Sequence, residues 1–218
     1  SPNGAVLGDI ISCAETASDA DDEPLSAAYE WTDQNGNSIG IGANLLLDAS
    51  VVSGGAILTC VVTVEDLSGG LDVEDSSFII GNTAPVVNNV VVSSATATTS
   101  DVVSCTGSAS DIDGDPLSDS YTWTNLSNGL IIGAADSLTL TPVQVTPGDS
   151  IMCSYEVSDG VGSDSGSAQI TVINTNPTIT ALSLNPANPT IGETVNCTTT
   201  IDDPDLQSTT ETVIWRNL

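Results

Sequence analysis

Asp101–Trp123 reads DVVSCTGSASDIDGDPLSDSYTW, and the chain carries two further versions of it. Asp9–Trp31 is DIISCAETASDADDEPLSAAYEW, and Glu193–Trp215 is ETVNCTTTIDDPDLQSTTETVIW. Cys13, Cys105 and Cys197 recur at intervals of 92 residues, as do Trp31, Trp123 and Trp215. Self-similarity at a fixed period sets the architecture before any local reading. It divides the chain into residues 1–81, a first copy with a truncated start; 82–173, a complete copy; and 174–218, the first half of a third, with its strands A to C. Both ends read as cuts through a longer tandem array, so the lack of a leader peptide carries no weight.

The middle copy shows what is repeated. Pro85–Ser94 is Val-rich and reads as strand A. Asp101–Ser108 alternates, with Val103, Cys105 and Gly107 on one face, and reads as strand B. The acidic loop Asp111–Asp115 leads to strand C at Tyr121–Thr124, with Tyr121 and Trp123 inward. Asn128-Gly129 is a tight hairpin signal, matched by Asn35-Gly36 in the first copy. Ser137–Leu140 is a short strand E and Pro147-Gly148-Asp149 a turn. Ile151, Cys153, Tyr155 and Val157 point inward along strand F; Ala168, Ile170 and Val172 do so along strand G. Seven short strands with no helical period predict an all-β fold of tandem β-sandwich domains. In the first copy the inward set is Cys13, Trp31, Leu45, Leu47, Cys60, Val62 and Val64, ending at Phe78–Ile80. The linkers Asn82-Thr83-Ala84-Pro85 and Asn174-Thr175-Asn176-Pro177 correspond, and their brevity and proline predict a semi-rigid array.

Twenty-nine acidic residues face one Arg (Arg216), no Lys and no His, for a formal net charge of −28. Nucleic acid and anionic membrane surfaces are held by Lys and Arg, so neither is expected as a partner. Such self-repulsion needs salt or bound cations, as in a saline or calcium-containing exterior. Hydrophobic residues make up 39% of the chain and alternate cleanly, which argues for folding over disorder. Five Cys with no CxxC pair and no His argue for disulfides over zinc, and so for an extracellular or cell-surface location. In the sandwich register Cys13–Cys60 and Cys105–Cys153 each join strand B to strand F. Cys197 then lacks a partner in this chain.

The pattern S-C-x5-D-x-D-x-D-P-L…Y-x-W, with a second Cys on strand F and an N-T-x-P linker, resembles the immunoglobulin-like and PKD-like repeats of bacterial and archaeal surface proteins. The resemblance implies Ig-like domains serving as stalks, fibres, adhesins or spacers. One departure is the missing tyrosine corner: Leu58 and Ile151 stand two residues before the second Cys, where antibody-type domains carry Tyr.

Three acidic B–C loops are candidate calcium sites: Asp19, Asp21 and Glu23; Asp111, Asp113 and Asp115; and the shortened loop with Asp203 and Asp205. Calcium takes six to eight oxygens, more than three carboxylates supply. In an Ig-like sandwich the F–G loop shares that pole, adding Asp66 in the first copy and Asp159 and Asp164 in the second. Linker oxygens of Asn82 or Asn174 complete the expected shell. The competing reading is a solvated loop whose Asp side chains make local turn bonds.

Catalysis is not expected, because a Ser or Cys nucleophile needs a His or Lys base and the chain has neither. Carboxylate-pair glycoside cleavage needs aromatic subsites, and all three Trp are assigned to cores. Asn125-Leu126-Ser127 and Asn196-Cys197-Thr198 fit the glycosylation sequon. The sequence thus predicts a structural segment of an extracellular stalk, fibre or filament, stiffened by disulfides and calcium. Its expected partners are other copies of itself or neighbouring repeats. The alternatives are an adhesin module holding a glycan or cell-surface ligand, and spacer domains of a secreted hydrolase.

Overall fold

Alternating apolar side chains make strands wherever one face can be buried and the other left in water, and this chain forms β structure throughout. A computed structural model describes residues 4–216. The first six strands are β1 (Ile10–Ser12), β2 (Ser26–Thr32), β3 (Ser38–Ile41), β4 (Asn44–Leu46), β5 (Ile57–Glu65) and β6 (Leu71–Ile79). They form one four-stranded sheet, β3-β2-β5-β6, and a short pair, β1-β4. Their common core holds Ile11, Trp31, Leu47, Leu58, Cys60 and Ile80. Trp31 is 1% exposed and its Nε1–H donates to the Gly42 carbonyl at 2.9 Å, so burying the indole leaves no donor unsatisfied. A Cys13–Cys60 disulfide crosses between the layers.

The next eight strands are β7 (Val86–Val92), β8 (Thr96–Ala97), β9 (Val102–Ser110), β10 (Ser118–Asn125), β11 (Leu130–Gly133), β12 (Ser137–Thr139), β13 (Ser150–Ser158) and β14 (Ser163–Val172). Five of them form the sheet β11-β10-β13-β14-β8 and three form β12-β9-β7. The residues expected inward on strand F are all buried: Ile151, Cys153, Tyr155 and Val157. Trp123 is fully buried, with its Nε1–H on the Ala135 carbonyl. Cys105–Cys153 bridges β9 to β13. Gly107 is required by close packing, because a Cβ there would fall within the Tyr155 ring. The expected hairpin turns at Asn35-Gly36 and Asn128-Gly129 are present, with φ of 81° at Gly36 and 76° at Gly129.

The last two strands, β15 (Thr178–Asn185) and β16 (Asn196–Asp202), pair only with each other. Here the sequence reading is corrected. Strand C was expected to end at Trp215, yet no strand forms after Asp202 among the described residues, and Trp215 is 60% exposed. The physical reason is pairing. The strand C of each preceding copy (β2, β10) bonds to its strand F (β5, β13), and among the described residues no strand stands beside residues 203–216 to take that part. Asn217 and Leu218 lie outside the described residues.

By packing, the chain divides into two compact units. One gathers the chain up to Val87 with Ala109–Ser118 and Val157–Asp164; the other takes Asn88–Ser108, Asp119–Glu156 and the chain from Ser165 onward.

Candidate metal centre

The acidic loop after β9 belongs to the first unit, and its shape follows from its sequence. Asp111 Oδ1 accepts the N–H of Asp113 at 2.7 Å and that of Asp115 at 3.4 Å, an Asx-type turn that folds the loop over its own first carboxylate. Gly114 completes the bend at φ 75°, a left-handed position that suits glycine. Carboxylate oxygens of Asp111, Asp113 and Asp115 then lie within 4.8 Å of one another. Asp113 Oδ2 accepts the backbone N–H of Thr83 at 2.6 Å, tying the loop to the linker.

After these bonds three side-chain oxygens are left over: Asp111 Oδ2, Asp113 Oδ1 and Thr83 Oγ1 are buried with no hydrogen-bond partner. A buried carboxylate oxygen without a donor or a cation is costly. The donor set is all oxygen, mostly anionic, and contains no nitrogen or sulfur, which suits a hard divalent cation and not zinc. The residues therefore fit a metal ion held by Asp111, Asp113 and Asp115, with Thr83 beside them.

The same turn recurs where the sequence repeats. Asp21 donates to Asp19 Oδ1 at 2.7 Å, and Asp205 to Asp203 Oδ1 at 2.8 Å. The left-handed position falls on Asp22 (φ 60°) and Leu206 (φ 58°). What differs is the surroundings. Glu23 accepts a hydrogen bond from Ser68 Oγ at 2.9 Å, and Asp19, Asp21 and Glu23 do not converge among the described residues. Asp205, 3% exposed, is fully served: Oδ1 accepts from Thr99 Oγ1 at 2.6 Å and Oδ2 from Thr175 N–H at 2.5 Å. Gln207 replaces the third carboxylate there.

The F–G loop carboxylates make bonds of their own. Asp66 Oδ1 accepts the N–H groups of Ser68 and Gly70, closing its own hairpin. Asp159 Oδ1 accepts from Val161 and Gly162, and Oδ2 from Asn82 Nδ2 at 2.9 Å. The Asn82 side chain, then the backbone N–H groups of Gly162 and Val161, hold the Asp159 carboxyl below the usual carboxylate range. Asn82 thus clamps the linker to Asp159 through its amide nitrogen. Asp164 Oδ2 accepts from Val87 N–H at 2.7 Å. Thr83 was missed in the sequence, although the recurring N-T-x-P linker marked its position.

The Asn125 sequon is closed by folding. Asn125 is fully buried, and its Nδ2 donates to Asp149 Oδ2 at 2.8 Å and to the Gln144 carbonyl at 3.3 Å. Burial alone would raise the Asp149 carboxyl, but hydrogen bonds from Thr146, Asn125 and Ser127 outweigh it and hold the group low.

Comparison with known proteins adds family and fold. The family model described as "Bacterial Ig domain" matches residues 82–173. None of the curated proteins matches the chain. Among solved structures, the mouse nectin-like molecule 4 full ectodomain (Ig1–Ig3) aligns at 13% identity and TM-score 0.35, over 78% of this chain and 62% of that one. The three N-terminal domains of the bacteriophage RB49 highly immunogenic outer capsid protein align at 15% identity and TM-score 0.33, over 92% of this chain and 66% of that one. The chain spans less than two thirds of the length of either.

Proposed function

We propose, for an immunoglobulin-like domain protein whose residues 82–173 match the bacterial Ig domain family, a structural role outside the cell. It is a segment of a stalk, fibre or filament, held by its disulfides and by calcium at the linker. The observation that carries this reading is the pair of buried, unpartnered carboxylate oxygens, Asp111 Oδ2 and Asp113 Oδ1; the Thr83 hydroxyl adds less, since that of Thr175, its counterpart in the repeat, is equally without a partner next to a fully bonded Asp205. Two disulfides support an oxidising compartment. The acidic surface supports a role in which cations are plentiful. Calcium would join carboxylates of the loop to a residue of the linker, so that binding the ion and fixing the linker become one event.

Without His or Lys the chain has no ordinary base for a Ser or Cys nucleophile, and no catalytic role is assigned to it. The test is calcium titration of the 218-residue protein by calorimetry. The expected result is saturable binding with Kd on the order of 10⁻⁴–10⁻³ M, the range of extracellular modules, abolished by Asp111→Asn with Asp113→Asn. Binding that survives the double substitution, or no saturable binding, contradicts the reading.

A further inference from the structure

The two linkers follow one plan, and a single side chain separates them. At the 92-residue interval Asp205 occupies the position of Asp113, and Thr175 that of Thr83. Each carboxylate accepts the backbone N–H of its threonine through Oδ2, at 2.6 Å for Asp113 and 2.5 Å for Asp205. The other oxygen is where they part. Asp113 Oδ1 is buried with no partner, whereas Asp205 Oδ1 accepts the hydroxyl of Thr99 at 2.6 Å.

Thr99 is fully buried, in the turn that leads into β9. The same interval puts Leu7 at its position in the first sandwich. The two turns are bonded alike: Asp101 Oδ2 accepts the Thr98 N–H at 2.7 Å, and Asp9 Oδ2 accepts the Val6 N–H at 3.0 Å. Behind them Ile173 N–H donates to the Ala97 carbonyl at 2.8 Å, and Gly81 N–H to that of Ala5 at 2.7 Å. Leu7 and Thr99 therefore hold one place in the fold. Leucine has no hydrogen to donate, so the first sandwich leaves Asp113 Oδ1 to be satisfied from elsewhere. Threonine has one. It goes to the carboxylate, the nearer and charged acceptor, with the Pro204 carbonyl at 3.3 Å.

We propose that Thr99 does for the second linker what a cation does for the first. Its hydroxyl completes the buried Asp205 carboxylate, so residues 174–177 are fastened to the 203–206 loop with no metal bound. The contrast between the linkers rests on the calcium reading above; the assignment of Thr99 does not. The loop composition agrees with it, because Gln207 stands where the middle loop has Asp115. An ion at the second linker would have to take Asp205 from two donors and accept a neutral amide as its third side chain. One chain thus carries two kinds of linker, one that answers to calcium and one that is fastened permanently.

The experiment is amide hydrogen exchange of the 218-residue protein, read at Thr83 and Thr175, in EDTA and in saturating calcium. The Thr175 N–H is expected to be equally protected in both, while Thr83 gains protection in calcium. Thr99→Val keeps the shape of the side chain and strands Asp205 Oδ1 without a donor. It should speed Thr175 exchange in EDTA roughly tenfold or more relative to the amides of β13, which report on the sandwich itself. Thr99→Ser, which keeps the hydroxyl, should recover most of the protection. Thr175 protection that depends on calcium overturns the proposal. So does protection that survives Thr99→Val, or that falls no further than that of β13. A Thr83 amide indifferent to calcium counts against the calcium reading alone and leaves the Thr99 assignment standing.

Discussion

Gly54 shows how much one missing methyl group decides. A Cβ at this residue would stand 2.9 Å from Asp113 Cγ and 3.0 Å from its Oδ1, the oxygen left without a partner. Alanine is compatible with the backbone there but not with the carboxylate in its present place. Gly54→Ala should therefore displace Asp113 and weaken calcium binding roughly tenfold, equivalent to about 1.4 kcal/mol, without changing a ligand. Calorimetric titration checks it; unchanged affinity would mean that Asp113 Oδ1 does not face the ion. Thr83 illustrates the limit of reading at this scale. Nothing in its own sequence marks it until the Thr83 N–H to Asp113 bond ties the residue to the acidic loop, and only the repeated N-T-x-P linker hinted at it. Asn125 is the reverse case, a surface-type motif in sequence that the fold buries against Asp149.

Strands were legible where both faces had a clear fate. β13 alternates Ile, Cys, Tyr and Val inward, and all four are buried. β6 was not, apart from its end at Phe78–Ile80, because LDVEDSSFI is exposed along most of its length and is defined by pairing with β5. Trp215 repeats the register of Trp31 and Trp123 but stays in water, since register alone does not bury a side chain without a partner sheet. The disulfides were readable because cysteines on facing strands B and F have no other use. Their contribution is testable at this scale. Cys105–Cys153 closes a loop of 48 residues of sequence separation, for which chain entropy gives about 4 kcal/mol. Replacing both cysteines by Ala should lower the denaturant midpoint of the second sandwich accordingly and raise its slope, because the uncrosslinked unfolded chain exposes more surface. A loss under about 1 kcal/mol would mean that packing around Trp123, not the staple, holds that core.

At the scale of the whole molecule the dominant fact is charge: 29 acidic residues against one Arg. That balance was fully legible, and with it the expectation of cations. Which loop would gather them was not. Three loops of similar sequence make the same turn, and only the middle one brings three carboxylates together among the described residues. The third satisfies Asp205 with Thr99 and the Thr175 N–H instead. The difference lies in neighbours contributed from elsewhere in the chain, which no single loop sequence contains. The central claim, an immunoglobulin-like structural segment stabilised by calcium at one linker, is tested most directly by thermal unfolding with calcium and with EDTA. A ligand at one hundred times its Kd stabilises the folded state by about 2.7 kcal/mol. The account predicts a rise in Tm of several degrees in calcium that Asp111→Asn with Asp113→Asn removes, while Asp203→Asn leaves it in place. Identical melting with calcium and EDTA, or a shift that survives the double substitution, would contradict it.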